Sequence, residues 1–291
     1  MEYNHTPVLL NESVKYLITD KNGIYVDATI GGGGHASFIL KTIWPNGFLI
    51  GCDKDRDAIN VALKRLREFS PKFLIVKSDF RDLDTWLFKI GIKKVDGILA
   101  DLGISSYHVN NKDRGFSFTS EVLPDMRMDQ EGDESAWDVL NNVSLSTLIK
   151  IFKEYGEIKR ARDVAIFIKQ NLKNIKSAKD LSDLIKRKFP KRGKIHPATL
   201  VFQALRIYVN DELGALSIFL SKLPYILKVK GRVVIISYHS LEDRIVKNFV
   251  KDSPYFEFVV KKPIVPNYEE IRYNRRSRSA KMRVLELTRG V

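Results

Sequence analysis

Residues Asp27-Ala28-Thr29-Ile30-Gly31-Gly32-Gly33-Gly34-His35-Ala36 put a carboxylate, four consecutive glycines and an imidazole side by side. Glycines in such a run let the backbone turn sharply and approach a ligand without interference from Cβ atoms. The helix expected next, HASFILKTI, offers its free N–H groups to an anionic or polar part of that ligand. The same block also fits Gly-x-Gly-x-x-Ala, so alone it does not separate a dinucleotide from other nucleoside cofactors. Asp53 stands 22 residues after Gly31, placed to accept hydrogen bonds from both hydroxyls of a ribose. Ser78-Asp79-Phe80 and Asp101-Leu102-Gly103 follow at similar intervals, the first suited to an adenine edge and face. Glycine or carboxylate therefore recurs where four strands are expected to end. No Walker Lys-Ser/Thr accompanies them, which favours S-adenosylmethionine over a nucleoside triphosphate.

The elements that must carry these groups are legible as short apolar runs. Residues 24–28 (IYVDA), 48–52 (FLIGC), 73–77 (FLIVK) and 95–100 (VDGILA) read as buried strands bounded by Gly, Pro, Asp or Asn. Between the second and third, Ala58, Ile59, Ala62, Leu63, Leu66 and Phe69 form one helical stripe. Strand–helix alternation predicts a parallel sheet, an α/β fold with its ligand at the carboxyl ends of the strands. From about Val122 to Lys194 only helical patterns appear, SLSTLIKIFKEYG, ARDVAIFIKQN and DLSDLIKRKF among them. A long helix NDELGALSIFLSKLPYIL precedes a returning strand RVVIIS (232–237), and FEFVV (256–260) with MRVLEL (282–287) suggests a closing hairpin. The expected organisation is a sheet domain, 1–109 with 196–291, interrupted by a helical insertion at 110–195.

Composition bounds the partners. With 44% hydrophobic and 29% charged residues in 291, whole-chain disorder is excluded. One cysteine, Cys52, excludes an internal disulfide framework and a multi-cysteine zinc site, as suits a reducing cytoplasm. Five scattered histidines lack ligand spacing, so no catalytic metal is expected. No run approaches the roughly 18 apolar residues of a membrane helix, and the first residues do not read as a signal peptide. The formal charge is +14, divided as +1 over 1–110, +5 over 111–195 and +8 over 196–291. Lys159–Lys194 holds 13 Lys/Arg against three acids, and Ile271–Arg283 holds six against none. Two basic clusters beside a neutral segment suggest a nucleic-acid phosphate footprint.

At the level of whole motifs the chain resembles the RsmH (MraW) family of S-adenosylmethionine-dependent 16S ribosomal RNA methyltransferases. The likeness runs nearly end to end: His5-Thr6-Pro7-Val8-Leu9-Leu10, the Gly-Gly-His block, and Asp101-Leu102-Gly103-Ile104-Ser105-Ser106. It continues through Arg114-Gly115-Phe116-Ser117-Phe118, Asp125-Met126-Arg127-Met128-Asp129, His196-Pro197-Ala198-Thr199 and Phe202-Gln203-Ala204-Leu205-Arg206-Ile207. Ser237-Tyr238-His239-Ser240-Leu241-Glu242-Asp243-Arg244 and Arg276-Ser277-Arg278-Ser279 complete it. The resemblance implies a Rossmann-like class I methyltransferase sheet with an inserted helical substrate-recognition domain. It implies methyl transfer to the N4 amine of one cytidine in the decoding centre of the small ribosomal subunit. By the same resemblance Gly33, Gly34, His35, Asp53, Phe80 and Asp101 contact the cofactor. His108 stands where the family usually has Gln, and is carried over as a cofactor ligand. Leu123-Pro124 reverses the family's Pro-Leu, and Arg275 replaces a proline. Family members are often dimeric, so a homodimer is among the expectations.

Asp101 is the expected catalytic group, accepting from the amine N–H to localise the nitrogen lone pair. Tyr238 and His239 stand where they could face or stack on an extruded base, with a hydrogen-bonded structural role for His239 as the equal alternative; Ser105 and Ser106 could support the geometry or cap the turn. Three other classes stay open at this point. A DNA amine methyltransferase is disfavoured, because such enzymes usually carry Asn/Asp/Ser-Pro-Pro-aromatic where Asp101-Leu102-Gly103 stands. An RNA-binding protein with a vestigial cofactor fold, or a nicotinamide dehydrogenase, would be separated by calorimetric titration of either cofactor.

Overall fold

A computed structural model describes residues 7–104, 111–132, 134–189 and 196–291. Its strands are β1 (Ile24–Asp27), β2 (Phe48–Asp53), β3 (Phe73–Lys77), β4 (Val95–Asp101), β5 (Leu227–Ser237), β6 (Phe256–Phe258) and β7 (Lys281–Leu287). In chain order the described helices are α1 (Leu10–Leu17), α2 (Gly34–Ile43), α3 (Arg56–Leu66), α4 (Leu83–Lys89), α5 (Ala136–Asn142), α6 (Leu145–Glu154), α7 (Ala161–Gln170), α8 (Ala178–Lys188), α9 (Thr199–Asn210), α10 (Glu212–Ile226), α11 (Ser240–Asp252) and α12 (Tyr268–Tyr273). The chain divides into two compact units, 1–103 with 213–291, and 104–212.

The first unit is built on one sheet in the order β3-β2-β1-β4-β5-β7-β6. β1 to β5 are parallel, and β7 returns antiparallel between β5 and β6. The chain steps outward from β1 to β2, then crosses back to place β4 on the other side of β1. Such a reversal opens a crevice at the carboxyl ends of the two strands, where α/β folds bind ligands. Asp27 closes β1 and Asp101 closes β4 at that crevice.

Burial on both faces explains why the strands read as continuous apolar runs. Val26, Ile50, Ile98, Val233 and Ile235 point to one side, with Leu216, Phe219, Leu223 and Val246. Tyr25, Leu49, Leu99, Val234 and Ile236 point to the other, with Leu17, Ile39, Leu40 and Leu66. Each such side chain contributes about 1.5–3 kcal/mol when taken out of water. Asp55 caps α3 by accepting from the Asp57 amide at 2.9 Å, as the sequence position of these acids predicts.

Two strand boundaries differ from the sequence reading by more than one residue. β5 begins at Leu227 rather than 232, and β6 ends at Phe258. The helix expected from Asn210 starts at Glu212, because Asp211 adopts φ 47° and breaks the run.

The second unit gathers Leu148, Phe152, Ala165, Ile168, Leu181 and Ile185 with Val201, Phe202 and Leu205 of α9. It therefore reaches past the 110–195 expected of the insertion, and α9 belongs to its core. Two of the sequence motifs serve this packing. Arg114 is 2% exposed and donates through Nη2 to the carbonyls of Arg127 and Met128, both at 2.9 Å. Asn210 accepts from the Met128 amide and donates to the Met126 carbonyl, each at 2.8 Å. Gly115 has φ 66°, and a Cβ there would lie 2.5 Å from the Asp125 amide nitrogen. Arg114-Gly115 and Met126-Arg127-Met128 thus recognise each other through the backbone.

Candidate functional site

The glycine loop joins β1 to α2 through two left-handed residues, Gly31 and Gly33. Gly33 (φ 75°) caps α2 and runs so close to α3 that an added Cβ would sit 3.2 Å from Ala62 Cα. Asp53, at the tip of β2, anchors this loop. Its Oδ2 accepts from the Gly31 amide and its Oδ1 from the Asp55 amide, both at 2.9 Å. Each oxygen can accept a further bond, so the loop and a ribose diol can share the carboxylate. Gly34 opens α2, whose first-turn N–H groups lack intrahelical acceptors.

Phe80 follows β3 and starts a helical turn capped by Asp79, which accepts from the Arg81 amide at 3.0 Å. Its half-buried ring meets Phe219 edge-on, centroids 5.4 Å apart. One face of an apolar wall is thereby fixed beside the carboxyl end of β3. Ser78 closes the corner, its amide donating to the Asp53 carbonyl at 2.9 Å.

Asp101 lies deepest in function and is the most constrained. Its amide donates to Thr29 Oγ1 at 2.7 Å, tying the end of β4 to the glycine block. Its Oδ1 accepts from the Tyr238 hydroxyl at 2.8 Å, and its Oδ2 is 3.7 Å from His35 Nδ1. Although 24% of the side chain stays open, desolvation pushes its pKa up to about 7, against the lowering effect of the Tyr238 hydrogen bond. The carboxyl thus changes charge near neutrality, which a proton acceptor requires.

His35 holds this corner together rather than reaching outward. Its Nε2 donates to the Val8 carbonyl at 3.0 Å, and the ring is 6% exposed. Pro7 covers the start of α2, with its Cγ only 2.5 Å from where a Gly34 Cβ would stand.

Tyr238 and His239 depart from the base-stacking reading that the sequence left open. Tyr238 turns its hydroxyl onto Asp101, and its amide donates to Glu242 Oε2 at 2.8 Å. His239 caps α11, accepting through Nδ1 from the Glu242 amide at 3.4 Å, while Glu242 reaches back to the capping amides. The capping box here reads His239-x-x-Glu242, with histidine standing where serine or threonine is usual.

Asp27 was overlooked as a site residue, although it opens the glycine block. It is 1% exposed, accepts from the Thr29 amide at 3.3 Å through Oδ1, and keeps Oδ2 buried without a hydrogen-bond partner. Burial first, then the charges of Asp101 and Asp53, raise its pKa to about 8. His108, Ser105 and Ser106 lie outside the described residues, as do His5 and Thr6.

Three carboxyl groups on adjacent strand ends, one with a vacant acceptor, suit a ligand that is cationic and carries N–H or O–H donors. S-adenosylmethionine, with a sulfonium, an ammonium, a ribose diol and a flat base, matches that donor and charge set. Gly33, Gly34, Asp53, Phe80 and Asp101 line the arrangement, and His35 braces it.

A family model described as the MraW methylase family matches residues 2–288. The "Ribosomal RNA small subunit methyltransferase H" of Clostridioides difficile is 42% identical, covering 98% of this chain and 99% of that protein. The protein of the same name from Petrotoga mobilis is 44% identical, covering 96% and 99%. A crystal structure described as that of an rRNA-methylase from Clostridium thermocellum has a TM-score of 0.50 at 13% identity, covering 97% of this chain and 99% of its own. That likeness concerns the fold. Among the described residues no helix is long and apolar enough to cross a membrane.

Proposed function

The chain belongs to the MraW methylase family, and we propose that it methylates the N4 amine of one cytidine in the 16S rRNA of the small ribosomal subunit. The observation that carries the reading is Asp101, a carboxyl with a pKa near 7, held by Tyr238 at the carboxyl edge of the sheet. The curated relatives carry the name of small-subunit rRNA methyltransferases, which supports the substrate class.

S-adenosylmethionine, when bound, supplies an electrophilic sulfonium methyl. The residues that would hold it are Gly33 and Gly34 of the loop, Asp53 at the ribose, Phe80 at the base, and Asp101. His108 is kept as a further ligand by analogy with the family's glutamine.

The exocyclic amine of cytosine is a weak nucleophile because its lone pair is delocalised into the ring. Ionised Asp101 accepts from an amine N–H, which localises the lone pair and balances the positive charge developing on nitrogen. Once the N–CH3 bond has formed, the same carboxylate can take the released proton. Tyr238 donates to Oδ1 throughout and leaves Oδ2 for the substrate. His35 fixes the approach by bracing the glycine loop against Asp101. Most of the acceleration then comes from aligning amine and methyl, as holding reactants in line contributes about 7–11 kcal/mol. The helical unit, which carries the Lys159–Lys188 cations, is the proposed substrate-recognition part; Lys191, Arg192 and Lys194 lie outside the described residues.

Incubation with labelled cofactor and small subunits lacking the modification tests this directly. Label in N4-methylcytidine of a single rRNA position is the expected result, and Asp101→Ala should abolish it while the chain stays folded. Label in another nucleoside, or near-normal turnover by the variant, overturns the proposal.

A further inference from the structure

Residues 259–280 connect β6 to β7 and carry Lys261, Lys262, Arg272, Arg275, Arg276 and Arg278 against two acids, Glu269 and Glu270. Arg276 is only partly exposed, but the other five cations are exposed. The ion pairs on this side of the unit draw on different cations, since Asp243 is met by Lys281 at 3.5 Å and Arg283 at 2.5 Å. Glu270 does not neutralise the loop, because its Oε1 turns inward to accept from the Leu9 amide at 2.8 Å. Five exposed cations therefore face solvent against one exposed acid, Glu269, and the loop presents a net positive charge.

Two tyrosines stand in the same stretch. Tyr268 is 81% exposed and Tyr273 is 85% exposed, at opposite ends of α12. Their spacing puts them about 7.5 Å apart along the helix axis and about 140° apart around it, so they serve different ligand groups. The segment presenting them is itself fixed. Asn267 caps α12 by accepting from the Glu270 amide at 2.8 Å, and Asn274 accepts from the Arg276 amide at 3.2 Å to cap the next turn.

The loop's position follows from strand register. Ser237 pairs with Lys281, and Ile236 pairs with both Met282 and Asp101. The start of β7 thus lies at the carboxyl edge of the parallel strands, the edge that carries Asp101. The Glu270 bond to Leu9 also joins the loop to the segment whose Val8 carbonyl holds His35. Aromatic faces and exposed cations accordingly sit on the rim of the proposed methyl-transfer site.

We propose that residues 259–280 form a platform for single-stranded RNA, resting on the rRNA reading above: Tyr268 and Tyr273 stack bases next to the target cytidine, and Lys261, Lys262, Arg272, Arg275 and Arg278 hold the phosphates. Stacking requires bases freed from a duplex, and an extruded cytidine leaves such neighbours beside it. Phosphate contacts give affinity without sequence preference, while the aromatic contacts select single strands.

Fluorescence anisotropy of a short fluorescein-labelled single-stranded RNA on the full chain tests the platform, with the corresponding duplex as control. Tyr268→Ala with Tyr273→Ala should weaken single-strand binding about tenfold or more, with the salt slope and cofactor affinity unchanged. Tyr268→Phe with Tyr273→Phe should bind as the native chain does. Replacing the five cations by Gln should lower the slope of log K against log salt by about 3.5. Single-strand affinity of the alanine pair within about twofold of the native chain overturns the platform. So does an equal loss on the duplex, or sedimentation showing that the tyrosines instead join two copies of the chain. Methylation of small-subunit rRNA by the native chain reads the other proposal separately. A chain that binds RNA through the tyrosines yet methylates none overturns that function and leaves the platform standing.

Discussion

Tyr238→Phe removes one oxygen and keeps the ring, so it isolates the hydroxyl that reaches Asp101 Oδ1 at 2.8 Å. A hydrogen bond to a charged group contributes about 1.5–3 kcal/mol. Its loss would raise the Asp101 pKa by about 1–2 units, since one unit corresponds to about 1.4 kcal/mol. From a starting value of about 7, the variant would titrate at about 8–9. At pH 7 the ionised fraction then falls from about one half to between about 1% and 10%. The sign is that of a base: activity is lost below the pKa and regained above it. Single-turnover rates measured across pH 6 to 10, with saturating cofactor, should show the acid limb displaced upward by about 1–2 units. Above that limb the variant should approach native rates. A limb that does not move, or a rate reduced equally at every pH, refutes the role given to Asp101 and its tyrosine.

Two further outcomes follow from the neighbouring carboxyl groups. Asp53→Ala removes the acceptor for two backbone amides and, on the proposed placement, for the ribose diol, so calorimetric titration should show S-adenosylmethionine binding weakened about 100-fold or more; an unchanged affinity would place the cofactor elsewhere. Asp27 has a folded pKa raised to about 8 against an ordinary value near 4. The folded state therefore holds a proton that the unfolded chain has released, and stability contributed at low pH is lost as pH rises from about 4 to 8. Asp27→Asn should flatten that decline in urea unfolding measured between pH 5 and 8, and parallel native and variant curves would remove Asp27 as its source.

The strand ends were legible because parallel strands buried on both faces read as apolar runs, each stopped by a glycine or a carboxylate. Asp53, Asp101 and the Gly33–Gly34 turn stand at the carboxyl edge of the sheet for that reason. Tyr238 was named for the wrong partner: the bond to Asp101 spans 137 positions and exists only because β5 pairs with β4. No local pattern encodes that pairing. For His239 the sequence left a chemical and a structural role equally open, and the structure gives it the structural one, in place of the usual serine of a helix cap. The wider helical unit escaped notice for a related reason. α9 is apolar enough for either core, and only Asp211, with its left-handed turn, marks where the chain leaves that unit.

The sheet's topology also governs when the protein can fold during synthesis. β4 ends at Asp101, and its partner β5 begins only at Leu227. At about 5–20 residues per second, a ribosome needs about 6–25 s to make the intervening stretch. For that interval β4 has no β5 to pair with, so β1 to β4 could form at most a half-sheet with an open apolar edge, while residues 104–212 emerge as one continuous segment. The sheet thus depends, at its own birth, on a central strand that the ribosome makes last but two.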